Sequence, residues 1–326
     1  MKALQFADKD RIVLAETEPP AIGDDEVLVA LRSVGICHSD FELLHGRYII
    51  PFSYPLIPGH EWSGAVAEVG KDVTSFRPGD RVLGECVIGQ EHFGFSISGA
   101  AAEYFVARPE WLHHVPDELD DTQAALVEPF SCAYFASTRA DNIDGSDTAV
   151  VFGAGPIGLS AVAVANALGA RVICAEPDAR RGDVARTLGA DEVLDPTAEG
   201  FVDLVHESTG GRGADVVFEA SGHPAAMAAA LEVAGFDARL VNIGIDVGAE
   251  VPAQLGLVQS KQLQLRGTIG SPGVWPQTLR FLARTGIDMS PIVTSRFPLE
   301  RAPEAYEAAA RTDENVKVHI ESGAGA

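Results

Sequence analysis

Gly153-Ala154-Gly155-Pro156-Ile157-Gly158 follows the apolar run Thr148-Ala149-Val150-Val151-Phe152 and opens an Ala/Val-rich segment that continues to Leu168. A short, wholly apolar run suits a strand buried on both faces of a parallel sheet. The segment after the glycines has the length and composition of a buried helix. A second apolar run, Arg171-Val172-Ile173-Cys174-Ala175, ends at Glu176, about twenty residues beyond the glycine turn, which is the context that gives a glycine fingerprint its meaning. Gly153 then serves the tight turn, Gly155 lets the backbone approach a pyrophosphate, and Gly158 permits close packing of helix on strand. The helix start at Pro156 and Ile157 directs its partial positive charge at the phosphates. Glu176 is placed to accept the ribose hydroxyls, and its charge would repel the extra phosphate of NADP, which favours NAD. Arg181, with Arg180 beside it, lies one helical turn on and would pull the other way if it faced the nucleotide rather than solvent.

Working outward, a second helix runs to Leu188-Gly189-Ala190, and two more apolar runs follow at Asp215–Phe218 and Arg239–Ile243. Strands alternating with helices at this spacing predict an α/β fold with a doubly wound parallel sheet. Before this region the texture differs. From Met1 to about Arg108, short strands (Glu26–Leu31, Gly64–Val69, Asp80–Leu83) are punctuated by Pro19-Pro20, Pro58-Gly59 and Pro78-Gly79. This predicts an all-β unit, a small barrel, with one short helix between Cys37 and Gly46. Helices are expected at Trp275–Arg284 and Glu304–Ala310, then a closing strand, Val316-Lys317-Val318-His319-Ile320, and a frayed glycine-rich tail after Glu321. Because the end of the chain returns to β character, the domains read as 1–129 with 270–326, and 130–269.

The 326 residues are too many for one ordinary core, and a hydrophobic fraction of 46% can fill two. A formal net charge of −23, from 24 basic and 47 acidic residues, leaves no basic footprint for nucleic acid. The first residues contain no apolar run of signal-peptide length, and the longest apolar stretch is broken by Asn166 and Gly169. The sequence therefore reads as a soluble cytoplasmic protein without a membrane partner. Its 4 cysteines, Cys37, Cys86, Cys132 and Cys174, form no Cys-x-x-Cys pair, so neither a disulfide framework nor a four-cysteine zinc site is indicated.

A different chemistry is concentrated in Gly35-Ile36-Cys37-His38-Ser39-Asp40 and Gly59-His60-Glu61. The Cys37 thiolate and His60 imidazole are borderline-soft donors that suit zinc. Glu61 adjoins them as a possible third ligand, and Glu128, in Val127-Glu128-Pro129-Phe130, stands at the junction of the two domains. A catalytic zinc needs three protein ligands and one exchangeable position. Cys37, His60 and Glu61, with Glu128 moving on and off, would meet that need.

Together with Pro78-Gly79-Asp80-Arg81-Val82 and the glycine turn, these stretches resemble the zinc-dependent medium-chain alcohol and polyol dehydrogenases, in order and spacing, over nearly the whole chain. The resemblance implies a GroES-like catalytic domain and a Rossmann domain with the active site in the cleft between them. Glu128 in its Glu-Pro context is similar to the sorbitol and threonine dehydrogenase branch. By the same resemblance Ser39 passes the substrate proton outward and Asp40 orients the zinc histidine; His45 matches the histidine at the outer end of that relay in some alcohol dehydrogenases, with an ordinary surface histidine as the alternative because the polyol branch often does without it. The family's four-cysteine lobe, which binds a structural zinc, has no counterpart after Asp80-Arg81-Val82. One catalytic zinc and no structural zinc are therefore expected. The implied partners are a small alcohol or ketone (a polyol, cyclitol, sugar or amino-polyol) and further copies of the chain, in a dimer or tetramer. Phe41, Tyr48, Phe52, Trp62, Cys86, His92 and Phe93 are candidates for lining the substrate pocket, with packing in the core or in loops as the alternative for each. The alternatives are a zinc-independent NADPH quinone or enone reductase and a non-catalytic nucleotide-binding protein on the same fold.

Overall fold

In the computed structural model, which describes residues 1–244 and 250–323, a hairpin of β1 (Lys2–Asp8) and β2 (Arg11–Glu16) comes first. It is followed by β3 (Val27–Gly35), α1 (His38–Leu44), β4 (Glu61–Val69), β5 (Arg81–Gly84), the two-residue strands β6 (Val87–Ile88) and β7 (Glu91–His92), β8 (Tyr104–Ala107) and β9 (Leu112–His114). Helices α2 (Asp121–Ala125) and α3 (Val127–Arg139) lead to β10 (Thr148–Phe152), α4 (Pro156–Ala167), β11 (Arg171–Ala175), α5 (Ala179–Thr187) and β12 (Glu192–Leu194). Next come α6 (Phe201–Ser208), β13 (Ala214–Glu219), α7 (Pro224–Val233), β14 (Ala234–Asn242), α8 (Gly256–Ser260) and β15 (Gln264–Gly267). The chain ends with α9 (Trp275–Thr285), β16 (Val293–Pro298), α10 (Ala302–Ala310) and β17 (Lys317–Glu321). The last residues of the glycine-rich tail, 324–326, lie outside the described residues.

Two compact units result. One comprises Met1–Glu128, Trp275–Gly286 and the segment from Val293 onward; the other comprises Pro129–Val274 and Ile287–Ile292. Residues 270–274 and 287–292 thus go with the second unit, although the return to β character in the sequence placed them with the first. Met289 and Ile292 are buried, and the short turn of helix at Ser290–Ile292 packs on α5. Burial of two apolar side chains sets this boundary, which strand and helix patterning does not report.

The second unit carries a six-stranded sheet in the order β12-β11-β10-β13-β14-β15, with every neighbouring pair parallel. That is the dinucleotide-binding order, in which the chain reverses direction across the sheet beside β10. All five residues of β10 are buried, as a continuous apolar run covered on both faces requires. Its core includes Phe152, Ile173, Val205, Val217 and Leu240.

In the first unit the sheet runs β16-β17-β3-β4-β5-β9, with β8 also paired to β3. β3 is buried along nearly its whole length. The closing strand β17 lies antiparallel to it, with His319 opposite Gly35 and Glu321 opposite Ser33. The C-terminal strand is thereby laid alongside the backbone that leads directly into Cys37. Beneath it, Trp62, Phe93, Phe105 and Trp111 form one aromatic cluster. Trp62 and Phe93, candidates for the substrate pocket in the sequence, are 3% and 1% exposed and belong to this core. The pattern of aromatic residues near the motifs was not sufficient to separate pocket from core. The segment after β5 is the short β6–β7 hairpin.

Candidate metal centre and nucleotide site

Cys37 stands at the N-cap of α1 with extended backbone angles. Its N–H donates to Asp40 Oδ2 at 2.9 Å, a capping box in which the third helical residue reaches back to the cap. The other oxygen of the same carboxylate, Oδ1, is 3.6 Å from His60 Nδ1. Asp40 therefore fixes the Cys37 backbone and faces the His60 ring at once, and it is fully buried. Burial works against a charged His60, but the Asp40 carboxylate and Cys37 outweigh it and push the imidazole well above its usual pKa. Phe95 covers His60 with ring centroids 4.4 Å apart, and Tyr48 stacks on Phe95 at 4.6 Å.

Glu61, the first residue of β4, is 1% exposed. Cys37 Sγ, a ring nitrogen of His60 and a carboxylate oxygen of Glu61 lie within 4.8 Å of one another. Donors bound tetrahedrally to one zinc at ordinary bond lengths lie about 3.5 Å apart, so this set is slightly open but matches a zinc site in donor type and spacing. Lys317 Nζ holds both Glu61 oxygens, at 2.6 and 2.9 Å, and the Ile36 carbonyl at 3.1 Å. Burial opposes the charge on this lysine; Glu61 and Cys37 restore it and raise its pKa. His319, two residues on, is fully buried. Burial first, and Lys317 second, hold it neutral at a pKa of about 3.

Glu128 is also buried and accepts from Cys86 Sγ at 3.4 Å. Burial raises its pKa against the pull of His60. It stands apart from the closer cluster of Cys37, His60 and Glu61. The Ser39 hydroxyl is buried with no partner within the protein, a state that suits an oxygen waiting for a ligand.

His45 is placed differently from its expected relay position. It follows Ser39 by six residues, which along a helix is about 9 Å and about 120° away from the Ser39 side chain. Its Nδ1 is instead 2.5 Å from Asp10 Oδ1 at the β1–β2 turn, and the Asp10 N–H donates to Leu44 O at 2.9 Å. His45 and Asp10 thus clamp that hairpin to the end of α1. Sequence spacing gives distance along the chain, but the helix sets which way a side chain points.

The glycine turn leaves the end of β10. Gly153 has φ +90°, a conformation that excludes most side chains. A Cβ on Gly158 would lie 1.8 Å from Gly153 O, whereas one on Gly155 would meet nothing within 4 Å. The turn is closed at Gly158 and open at Gly155, as phosphate binding at the start of α4 requires. Pro156 is the first residue of α4 and Ile157 the second. Glu176 accepts the Ala154 N–H at 2.7 Å and the Asp178 N–H at 2.9 Å. Arg181 Nη1 donates to Ala154 O at 3.3 Å, while Arg180 pairs with Asp178. Beside the turn, Glu219 at the end of β13 accepts Ser221 N–H at 2.9 Å and its hydroxyl at 2.5 Å. Sequence reasoning passed over Lys317, His319 and Glu219. For the first two the signal was present, because polar residues two apart in an otherwise apolar strand share one face.

Residues 156–284 match the family described as zinc-binding dehydrogenase, and residues 23–117 match the alcohol dehydrogenase GroES-like domain. The chain is 32% identical to D-arabitol-phosphate dehydrogenase of Enterococcus avium, with 96% of this chain and 94% of that protein covered. It is 30% identical to sorbitol dehydrogenase of Bacillus subtilis (strain 168), with 95% and 93% covered. Among solved structures, that of 2R,3R-butanediol dehydrogenase from Bacillus subtilis matches at a TM-score of 0.89 and 30% identity, with 98% of this chain and 99% of that chain covered. With a GroES-like unit, a Rossmann unit and relatives that span the chain almost end to end, the protein is an enzyme of the zinc-dependent medium-chain alcohol and polyol dehydrogenase family.

Proposed function

We propose that the enzyme oxidises a secondary alcohol of a polyol, cyclitol, sugar or amino-polyol to the ketone, with NAD as hydride acceptor and one catalytic zinc. The observation that carries this reading is the convergence of Cys37, His60 and Glu61 within 4.8 Å beside the buried, unpartnered Ser39 hydroxyl. Zinc bound to Cys37, His60 and Glu61 supplies a Lewis acid for the alcohol oxygen, and NAD supplies the hydride chemistry. The protein does the rest. Asp40 orients His60 and the Cys37 backbone. Lys317 balances the charge of Glu61. Glu128 stands as the exchangeable carboxylate. Ser39 takes the proton of the alcohol, since a hydroxyl both accepts and donates. His45 is assigned to the Asp10 clamp rather than to the relay.

In the second unit, Gly153, Gly155 and Gly158 with the first turn of α4, Pro156 and Ile157, cradle the pyrophosphate. Glu176 favours NAD over NADP, and Arg181 steadies the turn through the Ala154 carbonyl. The four free cysteines and the acidic surface support a cytoplasmic enzyme, and no helix among the described residues is long and apolar enough to cross a membrane. β15 at the sheet edge leaves Leu265 43% exposed, which supports a homo-oligomer.

The test is NAD-coupled absorbance with polyols, diols, cyclitols and simple alcohols on protein of measured zinc content. Turnover should follow zinc occupancy, and Cys37→Ala should purify zinc-poor and inactive. A metal-free Cys37→Ala enzyme with full turnover would refute the reading, and activity confined to NADPH and quinones or enones would transfer it to the reductase alternative.

A further inference from the structure

Cys86 stands where β5 gives way to the β6–β7 hairpin, and its backbone is fixed on both sides. The Glu85 N–H donates to Trp111 O at 3.0 Å, and Glu85 Oε1 lies 2.8 Å from His113 Nε2. The Phe93 N–H donates to Cys86 O at 2.8 Å, and Phe93 is buried in the aromatic core. Val87 and His92 then pair across the hairpin. This frame sets the Cys86 side chain against the Glu128 carboxylate, where Sγ donates to Oε1 at 3.4 Å. Glu128 is the second residue of α3 and is buried. His60 and Lys317 attract its charge, and Glu61 repels it. A buried carboxylate in such a field is drawn toward positive charge unless a donor holds it.

We infer that Cys86 is a positioning residue for Glu128: its thiol holds that carboxylate away from Cys37, His60 and Glu61 and so keeps the fourth position of the zinc open. Glu128 lies outside the group of donors that stand within 4.8 Å of one another, and one of its oxygens is engaged by Cys86. A catalytic zinc has three protein ligands and one open position, and a nearby carboxylate with nothing to hold it would close that position. The donor type suits a latch. A lysine or arginine would pin Glu128 in a lasting ion pair, whereas a thiol is a weak donor whose bond is readily exchanged. The short hairpin after β5 thereby acquires a role, because its root fixes the backbone from which the thiol reaches Glu128.

This inference rests on the zinc reading of Cys37, His60 and Glu61 with Glu128 as the exchangeable carboxylate, and its test separates the two. The probe is imidazole, which competes for the open position. Cobalt-substituted wild type, Cys86→Ala, Cys86→Val, Cys86→Ser, Glu128→Ala and the double variant Cys86→Ala/Glu128→Ala are titrated with imidazole and followed by visible absorption. Zinc affinity is measured by competition with a chromophoric chelator, and folding is checked by circular dichroism. Wild type should bind zinc and Cys37→Ala should not; tight zinc binding by Cys37→Ala would overturn the zinc reading itself. In Cys86→Ala the released carboxylate should take the open position. The cobalt bands should then change before any addition, imidazole should bind about 10-fold more weakly, and zinc should bind at least as tightly as in wild type. Cys86→Ser keeps a donor and should stay close to wild type. In the Glu128→Ala background, loss of Cys86 should change neither readout, as expected for two residues that act through one contact. If Cys86→Ala shows the wild-type spectrum and imidazole affinity, the thiol is no latch and the inference fails. Equal changes on removing Cys86 with and without Glu128 would assign the effect to the hairpin and overturn it as well. Cys86→Val fills the space without a donor and keeps the test decisive if the alanine variant does not fold.

Discussion

Replacing Lys317 by methionine tests the charge balance of the metal centre most directly. Lys317 and Glu61 are 3% and 1% exposed, and the lysine touches both carboxylate oxygens. Methionine fills similar space without charge and leaves a buried carboxylate next to Cys37. Breaking a buried pair in this way costs about 3–5 kcal/mol, which corresponds to roughly 6–20 °C in the unfolding midpoint of a unit of this size. A divalent cation bound to Cys37, His60 and Glu61 supplies positive charge in place of the lysine, so the penalty should shrink when zinc is present. Trp62, Trp111 and Trp275 all belong to the first unit, so tryptophan fluorescence reports its unfolding alone. The assay is urea and thermal unfolding of wild type and Lys317→Met, each with and without zinc. A large loss without metal that falls by half or more with zinc is expected. A loss under about 1 kcal/mol, or one independent of zinc, would refute the argument that Lys317 neutralises the ligand set.

Three further outcomes follow from the geometry. Burial, and then Lys317, hold His319 at a pKa of about 3 against about 6.5 in an unfolded chain, so only the unfolded state takes up this proton between those values. Its contribution to stability should be complete above about pH 6.5 and fall by about 1.4 kcal/mol per unit as the pH drops toward 3; in metal-free protein His319→Leu should flatten that slope in urea titrations between these limits. Gly158→Ala would set a Cβ against Gly153 O, and it should abolish NADH fluorescence enhancement while leaving zinc content unchanged; an unaltered NADH affinity would remove the turn from the nucleotide site. Glu176→Ala deletes the acceptor of the Ala154 N–H and, on the proposed reading, the charge that disfavours a 2′-phosphate, so kcat/KM with NAD should fall as that with NADP rises, and a constant ratio would separate Glu176 from cofactor choice.

Most of the nucleotide unit could be read from sequence because its information is local. An unbroken apolar strand such as β10, a turn that only glycine can make at Gly153, and an acidic residue at the end of the next strand each act over a few residues. The stretch around Cys37 was legible for the same reason, since Cys37 and Asp40 complete a capping box within one helical turn. Trp62 and Phe93 were harder to place, because an aromatic residue near a motif packs equally well into core or pocket. His45 was misdirected because distance along the chain says little about which side of a helix a residue faces.

The sequence by itself determined which donor atoms are available, where the phosphate turn falls, and that two kinds of domain alternate along the chain. Only the tertiary structure decided what surrounds those donors. β17 comes from nearly three hundred residues beyond Cys37 and is laid against β3, and this register brings Lys317 and His319 behind Glu61. Pairing between distant strands is set by burial over the whole unit, so a lysine and a histidine in a closing strand show no connection to a metal site until the sheet has formed. The ligand types are written in local sequence. The cation that faces the Glu61 carboxylate, Lys317, comes from long-range strand pairing.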